Sequence, residues 1–185
     1  MFDFWIRRKL KPFSDNLIFW DTEFSTLDPY KGEIISLGMV KMTGEKLYLE
    51  LEHEGECSQF VEEHVLPHMT GTKVSRESAK QSIIQFLGEG RPFLMSYINV
   101  YDAIYLLKLF NPGGESTKDA PFHWIFLDFA SMLFAVRRDP SVFSGKRTSV
   151  LGLTAEFGID ASQYREHHAL DDAERLRDIY LKIIA

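Results

Sequence analysis

The sequence predicts a mixed α/β fold in which helices pack against a central sheet. Three observations support this class. The first 52 residues contain three strand-like segments in succession, and the remainder alternates short apolar runs with segments of helical period. No repeat, low-complexity stretch or long linker divides the chain. We therefore expect residues 1–185 to form one domain, with a catalytic core over residues 17–185 and an N-terminal extension over residues 1–16.

Strand-like composition occurs in five segments. The first reads LIFWD, a short apolar run typical of a buried strand. The second and third flank a Thr-Gly-Glu sequence around Gly44, which favours a hairpin turn between them. The predicted strands cover residues 17–21, 34–42, 46–52, 92–97 and 124–127.

Apolar residues recur at helical spacing in six segments. Ser75 is suited to cap the second of them, and Pro67 is expected to end the first. Gly158 follows the fifth and is typical of a helix C-terminus. The predicted helices cover residues 59–66, 75–87, 100–110, 128–136, 149–157 and 170–184.

The composition excludes several classes of protein. The one cysteine, Cys57, cannot form an internal disulfide, so the fold does not depend on an oxidising compartment. No apolar run approaches the roughly 18 residues needed to span a bilayer. Asp3 and several basic residues interrupt the N-terminal segment, where a signal peptide would need a continuous apolar stretch. We therefore expect a soluble cytoplasmic protein with no membrane partner.

The formal net charge of −6 bears on how nucleic acid could be bound. Proteins that coat long stretches of duplex collect phosphates with Lys and Arg, so this charge argues against that mode of binding. It does not argue against an enzyme that holds a few nucleotides at a strand end. An acidic cluster that binds cations would itself make the formal charge negative.

Asp21 and Glu23 lie two residues apart at the end of the first predicted strand. Side chains at that spacing project from the same face, so the two carboxylates are brought close together with no Lys or Arg beside them. Like charges so placed are unfavourable unless a proton or a cation neutralises one of them. The pair indicates either a metal site or a strand end that opens into solvent, with Asp21 capping a turn.

Two further acidic positions lie at predicted helix starts. Asp102 falls in the first turn of the helix that follows the fourth strand. Asp172 lies in the first turn of the last helix, shortly after His167 and His168. Each is, by itself, an ordinary favourable charge at a helix N-terminus. Open α/β sheets usually form their sites at the C-terminal edge of the sheet, and there we expect the four carboxylates to converge without a basic partner.

The order of these motifs resembles that of the DEDDh 3′→5′ exonucleases, which include polymerase proofreading subunits, oligoribonuclease and RNase T. The motifs are Asp-Thr-Glu on the first strand, an aromatic residue followed by Asp at a mid-chain helix, and His-x-Ala-x-x-Asp near the C-terminus. The resemblance extends from residue 17 to the end of the chain. Further segments are similar to the short bacterial adenylate-specific exoribonucleases, namely Glu23-Phe24, Ile35-Ser36-Leu37-Gly38, Glu63-His64-Val65-Leu66-Pro67 and Tyr101-Asp102.

The resemblance implies a ribonuclease-H-like fold, with a five-stranded mixed sheet whose first three strands are antiparallel and which is flanked by helices. It also implies two divalent cations, Mg²⁺ or Mn²⁺, since hard oxygen ligands suit these ions. A pair of cations about 4 Å apart neutralises a phosphodiester, activates water and stabilises the leaving oxygen. The resemblance implies that Asp21 bridges both ions and that Glu23, Asp102 and Asp172 complete their coordination shells. It also implies a catalytic role for Glu23.

The implied activity is hydrolysis of phosphodiester bonds at the 3′ ends of single-stranded nucleic acid, releasing nucleoside 5′-monophosphates. The adenylate-specific branch favours RNA over DNA. The backbone of Thr22 is expected to face the terminal 3′-hydroxyl. Phe24 and Leu27 are expected either to stack or wedge against the terminal base or to pack in the core. A homodimer is compatible with the sequence, as many relatives are dimers.

Two histidines compete for the role of proton acceptor. Helical spacing favours His168, because residues four apart share a helix face with Asp172. The family register His-x-Ala-x-x-Asp instead selects His167, which we therefore expect to be the catalytic proton acceptor, and leaves Asp171 as a helix-start charge without a catalytic role. An unperturbed pKa of about 6.5 suits either imidazole to accept a proton from water.

Departures from the family pattern concern the substrate pocket. Residues 24–27 read Phe-Ser-Thr-Leu, without the glycine that many members have there. Tyr97 and Ile98 replace the His-Asn pair that often precedes the middle Asp. These differences leave the identity of the substrate open, while the metal-ligand pattern is complete.

Four alternatives differ from this reading in specific ways. A DNA exonuclease of proofreading or repair type would use the same residues. An endonuclease of the ribonuclease H type would not need the His-x-Ala-x-x-Asp segment. A non-catalytic nucleic-acid-binding module on the same fold would be expected to have lost a carboxylate or the histidine. A phosphotransferase would need a glycine-rich phosphate loop, and the sequence contains none.

Overall fold

A computed structural model describes residues 11–113, 120–140, 154 and 157–184. The helix predicted at residues 149–157 lies almost wholly outside these ranges and stays a prediction. The same holds for most of the N-terminal extension and for the proposed domain bounds.

The described strands form one mixed sheet in the order β4-β3-β2-β1-β5-β6. β1, β2 and β3 are antiparallel neighbours, whereas β5 runs parallel to β1 and β6 parallel to β5. The prediction of five strands was one too few within the described residues, because β4 is a two-residue strand, too short to show any period, that pairs with β3. The strands are β1 Leu17–Phe24, β2 Ile34–Lys41, β3 Lys46–Leu51, β4 Lys73–Val74, β5 Phe93–Ser96 and β6 Phe126–Asp128.

The described α-helices are α1 Gln59–His64, α2 Arg76–Leu87, α3 Val100–Phe110, α4 Phe129–Ala135 and α5 Ala169–Ile184. The Ser75 hydroxyl accepts a hydrogen bond from the Ser78 amide at 3.2 Å and caps α2, as predicted. Pro67 was expected to end the first helix directly, but it lies inside a 3₁₀ turn, Leu66–His68. A proline is tolerated there because the first turn of a helix needs no intrahelical amide donor. Within the described ranges, no helix is long and apolar enough to cross a membrane.

Side chains of β1 alternate between two apolar cores. Ile18 and Trp20 pack in the core formed with α2 and α3. Leu17 and Phe19 pack in the core formed with α4 and α5. Continuing the alternation, Thr22 falls on the α3 side, while Asp21 and Glu23 fall on the α5 side. The period of the first strand therefore decides which helix each functional side chain meets.

Gly38 permits α5 to begin against the sheet next to Asp21. Gly38 is the residue on β2 that pairs with Asp21. A Cβ atom at this position would lie 2.3 Å from both the backbone nitrogen and the Cα of Leu170. The absence of a side chain thus lets the first turn of α5 approach β2 closely, which brings Asp172 over β1.

Candidate active site

Three carboxylates from two elements meet at the end of β1. Asp21 and Glu23 project from the α5 side of the strand, and Asp172 lies in the first turn of α5. One oxygen of each residue lies within 4.8 Å of the others. Among the described residues, this is the single cluster of three or more potential ligands with such spacing.

Asp102 lines the same cavity but is not one of this close group of three. It occupies the first turn of α3 and is 6% exposed. The amide of Thr22 donates to Asp102 Oδ1 at 3.0 Å, and the Thr22 hydroxyl donates to the same oxygen at 2.6 Å. Asp102 is therefore fixed by Thr22 and lies outside the close group of three, although both residues line the same cavity.

Burial and mutual repulsion raise the pKa values of the acidic residues. Burial first, and then the charges of Asp102, Asp172 and Glu23, raise the pKa of Asp21 well above its ordinary value. Burial and the neighbouring carboxylates raise the pKa of Glu23 to about 8. Burial raises the pKa of Asp102 to about 6, against the lowering effect of the hydrogen bonds from Thr22. The polypeptide alone does not neutralise these charges, so the site favours protons or cations.

Arg175 provides a basic partner that the sequence analysis did not expect. Its guanidinium donates to Asp172 Oδ1, and the two side chains are 12% and 14% exposed. The expectation of four carboxylates without a basic partner was therefore wrong. Residues three apart on a helix share a face, so the spacing could have revealed this pair. Burial raises the pKa of Asp172 to about 6, because the lowering effect of the Arg175 guanidinium does not offset the cost of burying the charged carboxylate.

The structure brings His167, and not His168, to the cavity. The His167 ring packs edge-on against Phe60, with 5.1 Å between the ring centroids. Burial lowers the pKa of His167, so that its imidazole is neutral near neutral pH. The His167 backbone has a φ of +58°, a left-handed conformation that costs a residue with a side chain roughly 1–2 kcal/mol.

His168 faces away from the cavity. It is 4% exposed and stacks on Tyr48, with 4.4 Å between the rings. The helix-face argument for His168 was wrong, because α5 begins at Ala169 and His168 precedes it. Asp171, expected to be a helix-start charge without a catalytic role, is hydrogen-bonded to Arg165.

The cavity has a volume of about 680 Å³ and is lined partly by aromatic rings. Phe24 lines it and stacks on Tyr105 at 4.7 Å, so this residue both packs and faces the cavity. The Phe60 ring, 51% exposed, stacks on His64 at 4.6 Å, and both lie on the cavity wall. Sequence reasoning did not assign a role to this pair, because a single phenylalanine in a short helix does not by itself indicate a site.

The remaining predicted contacts are placed differently. Leu27 is 62% exposed and does not line the cavity formed by the described residues. The backbone of Thr22 was expected to face the terminal 3′-hydroxyl. In the structure the Thr22 amide donates a hydrogen bond to Asp102 and so holds that carboxylate. Tyr97 and Ile98, the two departures from the family pattern, both line the cavity.

Two solved structures share the architecture of this chain. The Mg²⁺- and Mn²⁺-bound form of Pop2p from S. pombe aligns with a TM-score of 0.67 and 13% identity, over 91% of this chain and 82% of that one. A structure of the yeast NOT1 MIF4G domain co-crystallised with CAF1 aligns with a TM-score of 0.58 and 12% identity, over 91% and 79% of the two chains. No family model and no curated protein matches the sequence. These similarities show the fold, which is ribonuclease-H-like as predicted.

Proposed function

We propose that this protein is a metal-dependent 3′→5′ exonuclease of the DEDDh type that acts on single-stranded nucleic acid, with RNA as the preferred substrate. The observation that carries the proposal is the meeting of Asp21, Glu23 and Asp172 within 4.8 Å in a cavity that His167 also lines. Three sequence motifs that are far apart in the chain supply these residues and Asp102. The fold that the resemblance implied for these motifs agrees with the fold of this chain.

The donor set fits divalent cations. Carboxylate oxygens are the ligands that Mg²⁺ and Mn²⁺ prefer, and the raised pKa values of Asp21 and Glu23 reflect burial and then neighbouring negative charge, which a cation would compensate. We propose that Asp21, Glu23 and Asp172 hold two such ions, with Asp102 completing the shell. The similar Pop2p structure was obtained with Mg²⁺ and Mn²⁺ bound, which supports this assignment.

Bound cations would neutralise the phosphodiester and lower the pKa of water near the site. The protein side chains have complementary tasks. His167 is neutral near neutral pH because burial lowers its pKa, so its ring nitrogen is available to accept the proton of the attacking water. Thr22 holds Asp102 by two hydrogen bonds, and Arg175 holds Asp172 by one ion pair. These contacts limit the rotation of two of the four carboxylates.

The cavity walls are suited to unpaired bases. Phe24, Phe60 and His64 present aromatic surface beside the acidic cluster, and base–aromatic stacking is largely independent of sequence. The net charge of −6 leaves little basic surface to hold a duplex, which favours unstructured 3′ ends. The preference for RNA rests on the resemblance to the adenylate-specific exoribonucleases.

The test uses end-labelled RNA and DNA oligonucleotides of matched sequence, each with a free or a blocked 3′ end, together with a closed circular single strand. With Mn²⁺ or Mg²⁺ we expect stepwise shortening of free 3′ ends, release of nucleoside 5′-monophosphates and faster digestion of RNA. EDTA should abolish the activity. Cleavage of the circle would instead indicate an endonuclease, and binding without any cleavage would indicate a non-catalytic module. Faster digestion of DNA would overturn only the substrate preference.

A further inference from the structure

The turn that precedes α5 is closed by an ion pair outside the cavity. The Arg165 guanidinium donates to both carboxylate oxygens of Asp171, from Nε to Oδ2 at 2.8 Å and from Nη2 to Oδ1 at 3.0 Å. The Arg165 amide also donates to Asp171 Oδ2, at 2.8 Å. Three hydrogen bonds thus join the two ends of a seven-residue segment, residues 165–171. We call the Arg165–Asp171 pair the clamp.

The clamp is anchored to the sheet through His168. His168 Nδ1 lies 3.0 Å from Asp171 Oδ1 and 3.3 Å from Arg165 Nη2. The His168 ring stacks on Tyr48 of β3, whose hydroxyl donates to Glu50 at 3.2 Å. The closed turn therefore has a fixed position relative to the strands that carry the rest of the site.

His167 lies within the turn that the clamp closes. Its backbone φ of +58° is a conformation that a residue with a side chain adopts only when its surroundings impose it. This conformation directs neighbouring side chains apart, so His168 packs beneath the clamp while His167 packs against Phe60 in the cavity wall. Both oxygens of Asp171 are used by Arg165, which leaves Asp171 poorly suited to bind a cation.

We propose that Arg165 and Asp171 are positioning residues, which hold the turn so that the His167 imidazole stays in the cavity. The consequence for catalysis rests on the function proposed above, whereas the effect on the His167 ring does not. Breaking the clamp removes the constraint on the left-handed backbone at His167, and the ring then leaves its place against Phe60. A catalytic group displaced by about 1 Å can lose a hundredfold in rate.

The test compares Arg165→Ala, Asp171→Asn, the double variant and the conservative Arg165→Lys. Glu174→Gln is the matched control, because it removes the ion pair with Lys46 from the same helix without touching the turn. The Arg165 side chain is 53% exposed, so its loss should leave the protein folded. Asp171→Asn changes the other residue of the clamp while keeping the shape of its side chain, so it tests the same contact independently of Arg165→Ala.

The first readout is independent of activity. In the proton NMR spectrum, the His167 ring signals, assigned with His167→Gln, should be shifted by the ring current of Phe60. This shift should be lost in Arg165→Ala and in Asp171→Asn, and kept in Glu174→Gln. A His167 signal that keeps its wild-type shift in both clamp variants would overturn the proposal.

The second readout is the split between kcat and KM, measured well below each variant's Tm. We expect kcat to fall about tenfold to a hundredfold with KM changed less than about twofold, since the clamp does not touch the cavity. The double variant should be no worse than the more severe single one, because both break the same contact. Arg165→Lys should recover part of the rate, as a lysine keeps the charge but not the bidentate geometry.

These readouts separate the two proposals. If the wild-type protein has no nuclease activity but the His167 signal still moves in the clamp variants, the proposed function fails and the clamp stands. If the enzyme is active and both clamp variants keep wild-type kcat per folded molecule, the clamp fails and the proposed function stands. A fall in Tm alone, with an unchanged kcat, would show that the pair is merely structural.

Discussion

The segment that joins the turn before α5 to the first turn of that helix has two sides, and each carries one histidine and one aspartate. His167 and Asp172 belong to the cavity side, while His168 and Asp171 belong to the clamp side. Burial opposes ionisation of both aspartates, but the outcome differs. The pKa of Asp172 is raised to about 6, whereas the hydrogen bonds from Arg165 bring the pKa of Asp171 below its ordinary value.

The difference shows how adjacent residues of one motif divide structural and functional roles. The protein itself satisfies Asp171 with three hydrogen bonds, so this carboxylate contributes to the architecture. Asp172 pairs with the guanidinium of Arg175 and belongs to an acidic cluster. That guanidinium does not neutralise the negative charge of the cluster. Function is expected on the side that the fold leaves under-neutralised. Four predictions test this contrast between the cavity side and the clamp side.

The largest effect is expected for Asp21→Asn, at the centre of the acidic cluster. This carboxylate is the one on which the charges of Glu23, Asp102 and Asp172 all act, so its loss should remove a shared ligand. Nuclease activity should fall by about three powers of ten or more, because several kcal/mol of charge stabilisation are lost. Calorimetry should show Mn²⁺ binding to the wild-type protein and little or none to the variant.

The fold should survive this change, since removing one of several repelling carboxylates need not destabilise the metal-free protein. Glu45→Gln is a suitable control, because Glu45 is an exposed acid paired with Lys41 outside the cavity. Mn²⁺ affinity in Asp21→Asn equal to that of the wild type would refute the assignment of the metal site.

His167→Ala should have the next largest effect. We expect kcat to fall by about two to four powers of ten, the usual contribution of a positioned proton acceptor. The affinity for Mn²⁺ should change little, because the carboxylates remain. The acidic limb of the pH–rate profile, which lies below the ordinary imidazole pKa because burial lowers the pKa of His167, should disappear. A loss of activity below tenfold would show that water is activated without the histidine.

Much of the fold could be predicted from local pattern alone. The hairpin around Gly44, where φ is +93°, and the bounds of α3 follow from turn chemistry and helical period. β4 could not be predicted, because two residues show no period and pair with β3 only through the tertiary fold. Gly38 gave no local signal either, since its role depends on the approach of Leu170 from the far end of the chain.

The candidate site was predictable to the extent that its residues lie in recognisable motifs. The spacing of Asp21 and Glu23 on one strand face was sufficient to pair them. The choice between the two histidines could not be made from helical spacing. It depends on the positive φ of His167, and a histidine in the sequence does not predict a positive φ. The clamp was equally hidden, since a bidentate pair between Arg165 and Asp171 requires a turn whose shape the sequence does not specify.

The third prediction concerns the stability of the metal-free protein as a function of pH. Raised carboxyl pKa values mean that the folded state holds protons that the unfolded state has released, so stability falls as pH rises through the folded values. Because the pKa of Glu23 is raised from 4.5 to about 8, Tm in EDTA should fall as the pH rises from about 5 to about 8 and level off above that. The lowered pKa values of the two histidines act in the opposite direction, but only below their ordinary value of about 6.5, so the interval from about pH 7 to pH 8 reports the carboxyl effect.

Thermal melts of the wild type and of Glu23→Gln isolate this contribution. The variant should lose less stability over the same pH range, and saturating Mn²⁺ should abolish the difference in slope for the wild type. Equal slopes for wild type and variant in EDTA would show that Glu23 is not held protonated by its surroundings, and that the cavity side is neutralised in some other way.

The smallest effect on activity is expected for His168→Ala, on the clamp side. The side chain is almost fully buried under Tyr48, so its removal should destabilise the protein by about 1–3 kcal/mol. Because the three hydrogen bonds between Arg165 and Asp171 remain, the turn should stay closed and kcat per folded molecule should fall less than tenfold. His168→Phe should recover part of the stability, since a phenyl ring can still stack on Tyr48. Chemical denaturation and steady-state kinetics on the same preparations measure both quantities.

If His168→Ala proved as inactive as His167→Ala while remaining folded, the division into a cavity side and a clamp side would be wrong. The helical spacing of His168 and Asp172 would then describe the site better than the backbone conformation at His167.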